Sequence, residues 1–371
     1  MEARVAHRRR HTALGPPFVG GESAYYLSVN RGKRSLVVNF KDVRGQALVR
    51  RLALRADVLV ENFKVGDLAR YGLEYKGLAE ANPRLIYASI TGFGQNGPRA
   101  HEPGYDAALQ GLSGLMSITG EADGPPIKVG VAVIDVLTGL HAAVGILAAL
   151  QERGRSGLGQ HLDVALFDVA LASLINQAQS FLVTGVTPRR LGSAHPQIVP
   201  YGAFEARDGW FMLAVGNDAQ YRRACNALGA PRLAHPRYAT NAGRVEHRDE
   251  LLESLKTLFS TRSRSDWLEA LGAAGVPATP VNTVAEAFTD PQAAARKMTA
   301  SLPHPRLGRV PTIGSPLGHL SRTPAVLGAS PPLLGEHGGA LLEEVLGLSK
   351  AEVEGLSRDG VIGAGDAEHG T

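Results

Sequence analysis

The stretches that decide the fold are three β-rich runs in the first quarter of the chain, RSLVVNF (34–40), DVLV (57–60) and LIYASI (85–90). Asp42 follows the first run and precedes residues 43–55, a predicted helix in which Leu48 and Leu52 share one face. Strands that alternate with helices indicate a parallel sheet with helices packed against it. We therefore predict an α/β fold, with ligands at the carboxyl ends of the strands, where Asn62 and Phe63 follow the second run.

The pattern of the chain changes near Pro200, and its 371 residues are enough for two or three domains. Residues 201–205 and 210–215 read as paired strands around a turn, and residues 275–281 read as a loop and an edge strand. Residues 1–24 read as irregular. The predicted domains are a large domain over 1–199, a small α+β domain over 200–298 and a return to the large domain over 299–371.

Composition excludes several classes of function. The net charge is only +4, and Arg8–Arg10 supply three positive charges in one run, so we expect no nucleic-acid partner. Cys225 is the single cysteine, no Cys/His cluster has metal-ligand spacing, and the start lacks an apolar signal region; we expect a cytoplasmic protein without a metal. Residues 131–150 approach membrane-span length but carry Asp135 and His141, which favours a buried core helix and no membrane partner.

Asp135 is the most informative single residue. It ends the apolar run 129–134 and opens a long apolar helical stretch over 136–150. The free N–H groups and the positive end of a helix favour an anion at this position. On spacing alone, Asp135 is either a helix cap or a fixed, ionised nucleophile, and caps are the commoner case.

Several long phrases carry a resemblance to a known family, namely ADVLVENFKVGDLARYGL (56–73), NPRLIYASITGFGQNGP (82–98), GYDAALQGLSGLM (104–116), VIDVLTGLHAAVGILAAL (133–150) and GVPATPVNTVAEAFTDPQ (275–292). With them the chain resembles the class III coenzyme A transferases, typified by formyl-CoA transferase and carnitine-CoA transferase. The phrase AHPQIVPYGAF (194–204) is most similar to members that use dicarboxylic acids and succinyl-CoA. The resemblance implies a Rossmann-like large domain with an inserted smaller α+β domain, and interlocked homodimers.

The resemblance also implies a reaction in which CoA moves from an acyl-CoA to a carboxylic acid, with acyl-CoA as substrate and no permanently bound cofactor. The family's nucleophilic aspartate falls on Asp135. In the family mechanism it forms a mixed anhydride with the donor acyl group and then an aspartyl-CoA thioester. Tyr105 and Asp106 occupy the family's active-site tyrosine and acidic pair. Asp168 also carries a carboxylate, but the family gives it no nucleophilic role, and we interpret it as structural.

The CoA contacts implied by the resemblance map onto Val38, Lys41, Asn62, Phe63 and Arg70. Cations suit the phosphates of CoA, and an aromatic face suits its nucleotide. The alternatives are solvated charges for Lys41 and Arg70 and a core position for Phe63.

Two regions depart from the family pattern. Family members open with a strand–helix–strand unit before the position equivalent to Gly15, and this sequence shows no such unit. We therefore expect an N-terminally extended version to have a higher melting temperature and turnover. The glycine-rich lid of formyl-CoA transferase is replaced by residues 193–197, in which His195 either binds an acceptor carboxylate or packs within the loop.

Two other functions compete with CoA transfer. Related α-methylacyl-CoA racemases carry histidine at the position of Tyr105, and tyrosine is a poorer base near neutral pH. Deuterium entering the α-carbon without a second acid would support racemisation. A non-catalytic CoA-binding relict is the other alternative, and CoA binding without turnover would support it.

Overall fold

The computed structural model describes residues 2–5 and 15–363. The strands of this part of the chain are β1 (Glu2–Val5), β2 (Phe18–Val19), β3 (Glu22–Ser23), β4 (Ser35–Val38), β5 (Val58–Glu61), β6 (Ile86–Thr91), β7 (His161–Ala165), β8 (Tyr201–Ala206), β9 (Gly209–Ala214), β10 (Ala278–Pro280), β11 (Thr299–His304) and β12 (Gly308–Ile313).

The α-helices of the described residues are α1 (Ala24–Val29), α2 (Val43–Arg55), α3 (Tyr75–Ala81), α4 (Asp106–Leu112), α5 (Val133–Ser156), α6 (Leu166–Ala172), α7 (Ile175–Thr184), α8 (Asp218–Leu228), α9 (Asn241–Glu246), α10 (Arg248–Phe259), α11 (Arg264–Ala273), α12 (Val284–Thr289), α13 (Pro291–Ala295), α14 (Gly338–Leu346) and α15 (Lys350–Arg358). Short 3₁₀ helices cover Ala69–Tyr71, Leu115–Ser117, Pro231–Ala234 and Pro236–Tyr238.

The first of two compact units comprises residues 1–104, 137–166 and 286–371. Its strands β5, β6 and β7 form a parallel sheet in that order, and β1 pairs in parallel with β4. Helix α2 begins where Asp42 accepts the N–H of Arg44, and it buries Leu48 and Leu52 against the side chains of β4 and α14. The predicted α/β class with parallel strands is confirmed, and α2 has the predicted bounds.

The second unit comprises residues 105–136 and 167–285. Its strands form an antiparallel sheet in the order β10-β9-β8, which confirms the predicted strand pair and edge strand. Phe204, Phe211, Phe259 and Trp267 pack edge to face or tilted in its core. Such aromatic contacts add stability beyond the area that they bury. The domain bounds that we drew from the sequence stay a prediction.

Two sequence predictions about individual segments are wrong. Residues 1–24 are not irregular throughout, because β1 lies beside β4, and β2 and β3 form an antiparallel pair. Helix α5 is not a buried core helix within one chain: only 22% of its most apolar 18-residue window is buried. Among the described helices, α5 is the one that is long and apolar enough to cross a membrane. The bent pair α6 and α7 is a second candidate only if its two helices are counted together as one span. One or two such helices are weak evidence for a membrane protein.

Candidate active site

The start of α5 is capped by a side chain from another helix. Asp106, in the first turn of α4, accepts the N–H groups of Ile134 and Asp135 through its Oδ1, at 2.7 and 3.2 Å. The N–H of Val133 donates to Val131, and that of Val136 donates to Ala132. The first four N–H groups of the helix therefore all have partners. A carboxylate at this position also meets the positive end of the helix.

Asp135 is the third residue of α5 and is not its cap. The prediction that free N–H groups at the start of this helix meet the Asp135 carboxylate is therefore wrong, because Asp106 occupies two of them. The part of the chain that the structure describes gives the Asp135 carboxyl group no hydrogen bond, and the residue is exposed. Partial burial of the carboxyl group itself, and then the charge of Asp106, raise the pKa of Asp135 above its ordinary value.

This arrangement suits a nucleophile better than it suits a structural carboxylate. A carboxylate fixed by several hydrogen bonds has its lone pairs occupied and its negative charge stabilised. Asp135 has an accessible carboxylate whose charge is disfavoured by its surroundings. Groups with perturbed pKa values concentrate at functional sites. The geometry brings together Asp106 and Asp135 of the predicted catalytic set.

Tyr105 lies at the N-cap position of α4, directly before Asp106. Its backbone is extended, its side chain makes no capping hydrogen bond, and 65% of the residue is exposed. Tyr105 is therefore not an aromatic residue that packs in the core at the start of the helix. An exposed aromatic side chain at this position is available to a substrate.

Gln110 is a residue of this cluster that the sequence analysis missed. It is fully buried on α4, one turn after Asp106. Its Nε2 donates to Asp106 Oδ2 at 2.6 Å, and its Oε1 accepts the N–H of Val129 at 2.8 Å. The spacing of four residues on one helix was the signal that could have found it.

The predicted CoA contacts lie in the other unit, and they differ in exposure. Val38 is fully buried in β4, within the apolar core, so its side chain is closed to a ligand. Lys41 and Asn62 are exposed, and Asn62 donates to the carbonyl of Ile90 at 2.6 Å. Arg70 is exposed, lies 3.5 Å from Asp67 Oδ1, and covers the ring of Tyr71.

Phe63 forms part of an aromatic group at the carboxyl end of β5. Its ring stacks on Phe40 with a centroid separation of 6.4 Å, and Phe40 lies 5.4 Å from Tyr71. Phe40 and Phe63 line a cleft of about 150 Å³ together with apolar side chains of β5 and α2. Phe63 is 37% exposed, and its ring is the part of this aromatic group that a planar ligand can reach. Phe40 and Tyr71 are further residues that the sequence analysis did not single out.

His195 takes part in its own loop. Its Nδ1 accepts the N–H of Gln197 at 3.1 Å, and its ring packs against Tyr201. Its carbonyl oxygen accepts from Arg248, whose guanidinium also donates to Pro196. These contacts correspond to the loop-packing alternative.

Comparison with known proteins identifies the family. The model of CoA-transferase family III matches residues 4–338. The chain belongs to this family. Members of CoA-transferase family III use CoA thioesters as substrates, so the predicted enzyme class is confirmed: the chain is a CoA-transferase that acts between an acyl-CoA and a carboxylic acid.

Individual relatives of this CoA-transferase cover most of its length. The succinate–glutarate CoA-transferase of Agrobacterium fabrum is 48% identical over 90% of this chain and 85% of its own length. The human succinyl-CoA:glutarate CoA-transferase is 39% identical over 94% of this chain and 80% of its own length. A solved CAIB/BAIF family structure from Brucella suis has a TM-score of 0.82 at 43% identity and covers 92% of this chain and 90% of its own.

Proposed function

We propose that this CoA-transferase moves CoA from succinyl-CoA to a small dicarboxylic acid of the glutarate type, with Asp135 as the acyl carrier. The observation that carries the mechanism is the accessible Asp135 carboxyl group, free of hydrogen bonds within the described residues and set beside the capped start of α5. The substrate class is supported by the names of the relatives from Agrobacterium fabrum and human. A net charge of +4 also suits anionic substrates.

The reaction proceeds by covalent catalysis. A carboxylate oxygen of Asp135 attacks the thioester carbonyl carbon, the carbon–sulfur bond breaks, and CoA leaves as the thiolate while a mixed anhydride forms. The thiolate then attacks the carbonyl carbon of Asp135, which releases the donor acid and leaves an aspartyl-CoA thioester. The acceptor carboxylate attacks the carbonyl carbon of this thioester, the carbon–sulfur bond breaks, and a second mixed anhydride forms while CoA leaves as the thiolate. The thiolate then attacks the acceptor carbonyl carbon of that anhydride, which yields the acceptor-CoA thioester and releases the Asp135 carboxylate. Each step exchanges one carboxyl derivative for another, so no strong base is needed.

Mass spectrometry tests this proposal directly. We incubate the protein with succinyl-CoA in the absence of an acceptor and digest it. We expect a CoA or succinyl adduct on the peptide that contains Asp135, and its disappearance after addition of glutarate. The peptide that contains Asp168 is the internal control and is expected to stay unmodified. An adduct on a different residue, or turnover without any adduct, would contradict the covalent route.

The nucleotide of CoA is expected to bind through Phe63 and Arg70. Replacing Phe63 by alanine removes an exposed aromatic face, and such stacking is worth about 1–3 kcal/mol per base. We expect the KM for succinyl-CoA to rise about tenfold with kcat little changed, because the contact is the same in ground and transition states. Steady-state kinetics with succinyl-CoA varied at saturating acceptor measure this effect.

The control for Phe63→Ala is Tyr25→Ala, which removes a comparably exposed aromatic side chain from α1 of the same unit. We expect this control to leave the KM unchanged. An equal KM in Phe63→Ala and the unchanged protein would place the nucleotide elsewhere.

We also propose that the chain forms a homodimer through α5. Val136, Leu140, Val144 and Leu147 recur every three or four residues and are each more than half exposed, so they form one apolar stripe. Exposed apolar patches of this kind mark interaction surfaces. The interlocked arrangement and the cytoplasmic location that we drew from the sequence stay predictions.

Light scattering tests the dimer. We expect a mass of about twice 39.1 kDa for the unchanged protein. The double substitution Leu140→Glu and Leu147→Glu places charges in the stripe and is expected to yield monomers or aggregates. Val43→Glu, at an exposed apolar position on α2, is the matched control and is expected to remain dimeric. A monomeric unchanged protein, or one that partitions into lipid vesicles, would contradict the proposal.

A further inference from the structure

The amide group of Gln110 joins helix α4 to the segment that precedes α5. It is fully buried, donates from Nε2 to Asp106 Oδ2 and accepts from the N–H of Val129 through Oε1. The orientation of the amide is fixed by its partners, because the N–H of Val129 can only donate and an ionised carboxylate can only accept. Asp106 Oδ1 in turn accepts the N–H groups of Ile134 and Asp135.

The Asp106 carboxylate is therefore held at both oxygens. With Oδ2 bound to Gln110, the carboxylate plane cannot rotate without breaking a short, partly buried hydrogen bond. The other oxygen then stays directed at the first turn of α5, where the backbone carries Asp135. Hydrogen bonds to a charged group are among the stronger ones in proteins, and an unpartnered buried amide is costly.

Side chains of similar size differ in how many of these two hydrogen bonds they can keep. Methionine fills the same volume but leaves Asp106 Oδ2 and the N–H of Val129 unpaired. An ionised glutamate keeps the bond to Val129 but places two carboxylates against each other. A protonated glutamate donates to Asp106 and accepts from Val129, as the amide does.

We propose that Gln110 is a positioning residue for CoA transfer, whose amide holds Asp106 against the start of α5 and so fixes the backbone that carries Asp135. This inference rests on the proposed function of Asp135 as the acyl carrier. The amide contacts Asp106 on α4, and the charged groups next to its two partners are Asp135 on α5, which feels the charge of Asp106, and Lys128, whose ammonium donates to the carbonyl of Val129. Misplacement of a reacting group by about 1 Å can cost about 10²-fold in rate, so orientation alone supplies a large effect.

The test is the pH profile of Gln110→Glu. Repulsion by Asp106 raises the pKa of the introduced carboxyl group, so it is protonated at low pH and ionised at high pH. We expect kcat relative to the unchanged protein to be near one at pH 5.5 and to fall by about 10²-fold at pH 8.5. Gln110→Met lacks a titratable group and is expected to lose about the same factor at every pH.

The control is Gln220→Glu on α8, where the side chain accepts the N–H of Gly216 and an ionised carboxylate can still do so. Its kcat relative to the unchanged protein is expected to be independent of pH. The proposal would be overturned if the relative kcat of Gln110→Glu did not change with pH. It would also be overturned if neither Gln110 variant folded at any pH, because Gln110 would then have only a structural role. If instead Asp135→Ala keeps full activity, the proposed function fails, and the two failures are thereby distinguished.

Discussion

Replacing Asp135 by alanine is expected to lower kcat for CoA transfer by at least about 10³-fold, the scale seen when a nucleophile is removed from a covalent mechanism. No other described group stands in the same position, since Asp106 is held by backbone N–H groups of α5 and by Gln110. The measurement is CoA release and transfer from succinyl-CoA to glutarate. Asp168→Ala removes an exposed carboxylate from the first turn of another apolar helix, and it should retain activity.

Replacing Asp135 by asparagine, which removes the charge at nearly the same size, should not weaken the fold. The pKa of Asp135 is raised in the folded chain, so its ionised form costs stability at neutral pH, and this cost disappears when the charge is removed. We therefore expect Asp135→Asn to melt at the same or a higher temperature than the unchanged protein. The nucleophile must be ionised, so kcat of the unchanged protein should decrease as the pH is lowered through the pKa of Asp135. Because that pKa is raised, the decrease should begin at a higher pH than for an ordinary aspartate. A large drop in melting temperature would mean that lost activity reflects unfolding.

The largest expected loss of stability follows from replacing Arg244 by methionine. Arg244 is fully buried and donates to the carbonyls of Val199 and Tyr238 and to Asp218 Oδ1, at 2.6, 2.9 and 2.8 Å. Its guanidinium also covers the ring of Tyr221. Methionine leaves two carbonyls and a carboxylate without their donor, and we expect the free energy of unfolding to fall by about 3–5 kcal/mol.

Urea unfolding followed by tryptophan fluorescence measures this loss. Both tryptophans, Trp210 and Trp267, lie in the unit that contains Arg244, so the signal reports the unfolding of that unit. Arg237→Met is the matched control, because Arg237 pairs with Glu250 at the surface and such pairs contribute about 0–1 kcal/mol. Equal midpoints for the two variants would show that the buried hydrogen bonds of Arg244 are dispensable.

The residues that the sequence identified correctly are those whose environment is set by their neighbours along the chain. Helix α2 has the predicted bounds because its cap, Asp42, and its apolar face lie within one stretch of sequence. The pair β8 and β9 was predictable because a short turn joins two β-rich runs. Asp135 is a candidate already in the sequence, because a carboxylate stands at the start of a long apolar helix within a phrase that resembles the family, and its catalytic role stays a prediction.

The residues that the sequence could not place depend on partners far away in the chain. The cap of α5 comes from Asp106, 28 residues before Ile134, and local spacing assigned that cap to Asp135 instead. The burial of Arg244 depends on a carbonyl 45 residues away, and arginine is ordinarily an exposed residue. The sequence by itself thus determined the fold class and the identity of the candidate nucleophile, because periodicity and motifs are local. Only the tertiary structure decided which groups surround that nucleophile, because hydrogen bonds between distant segments leave no pattern in the chain.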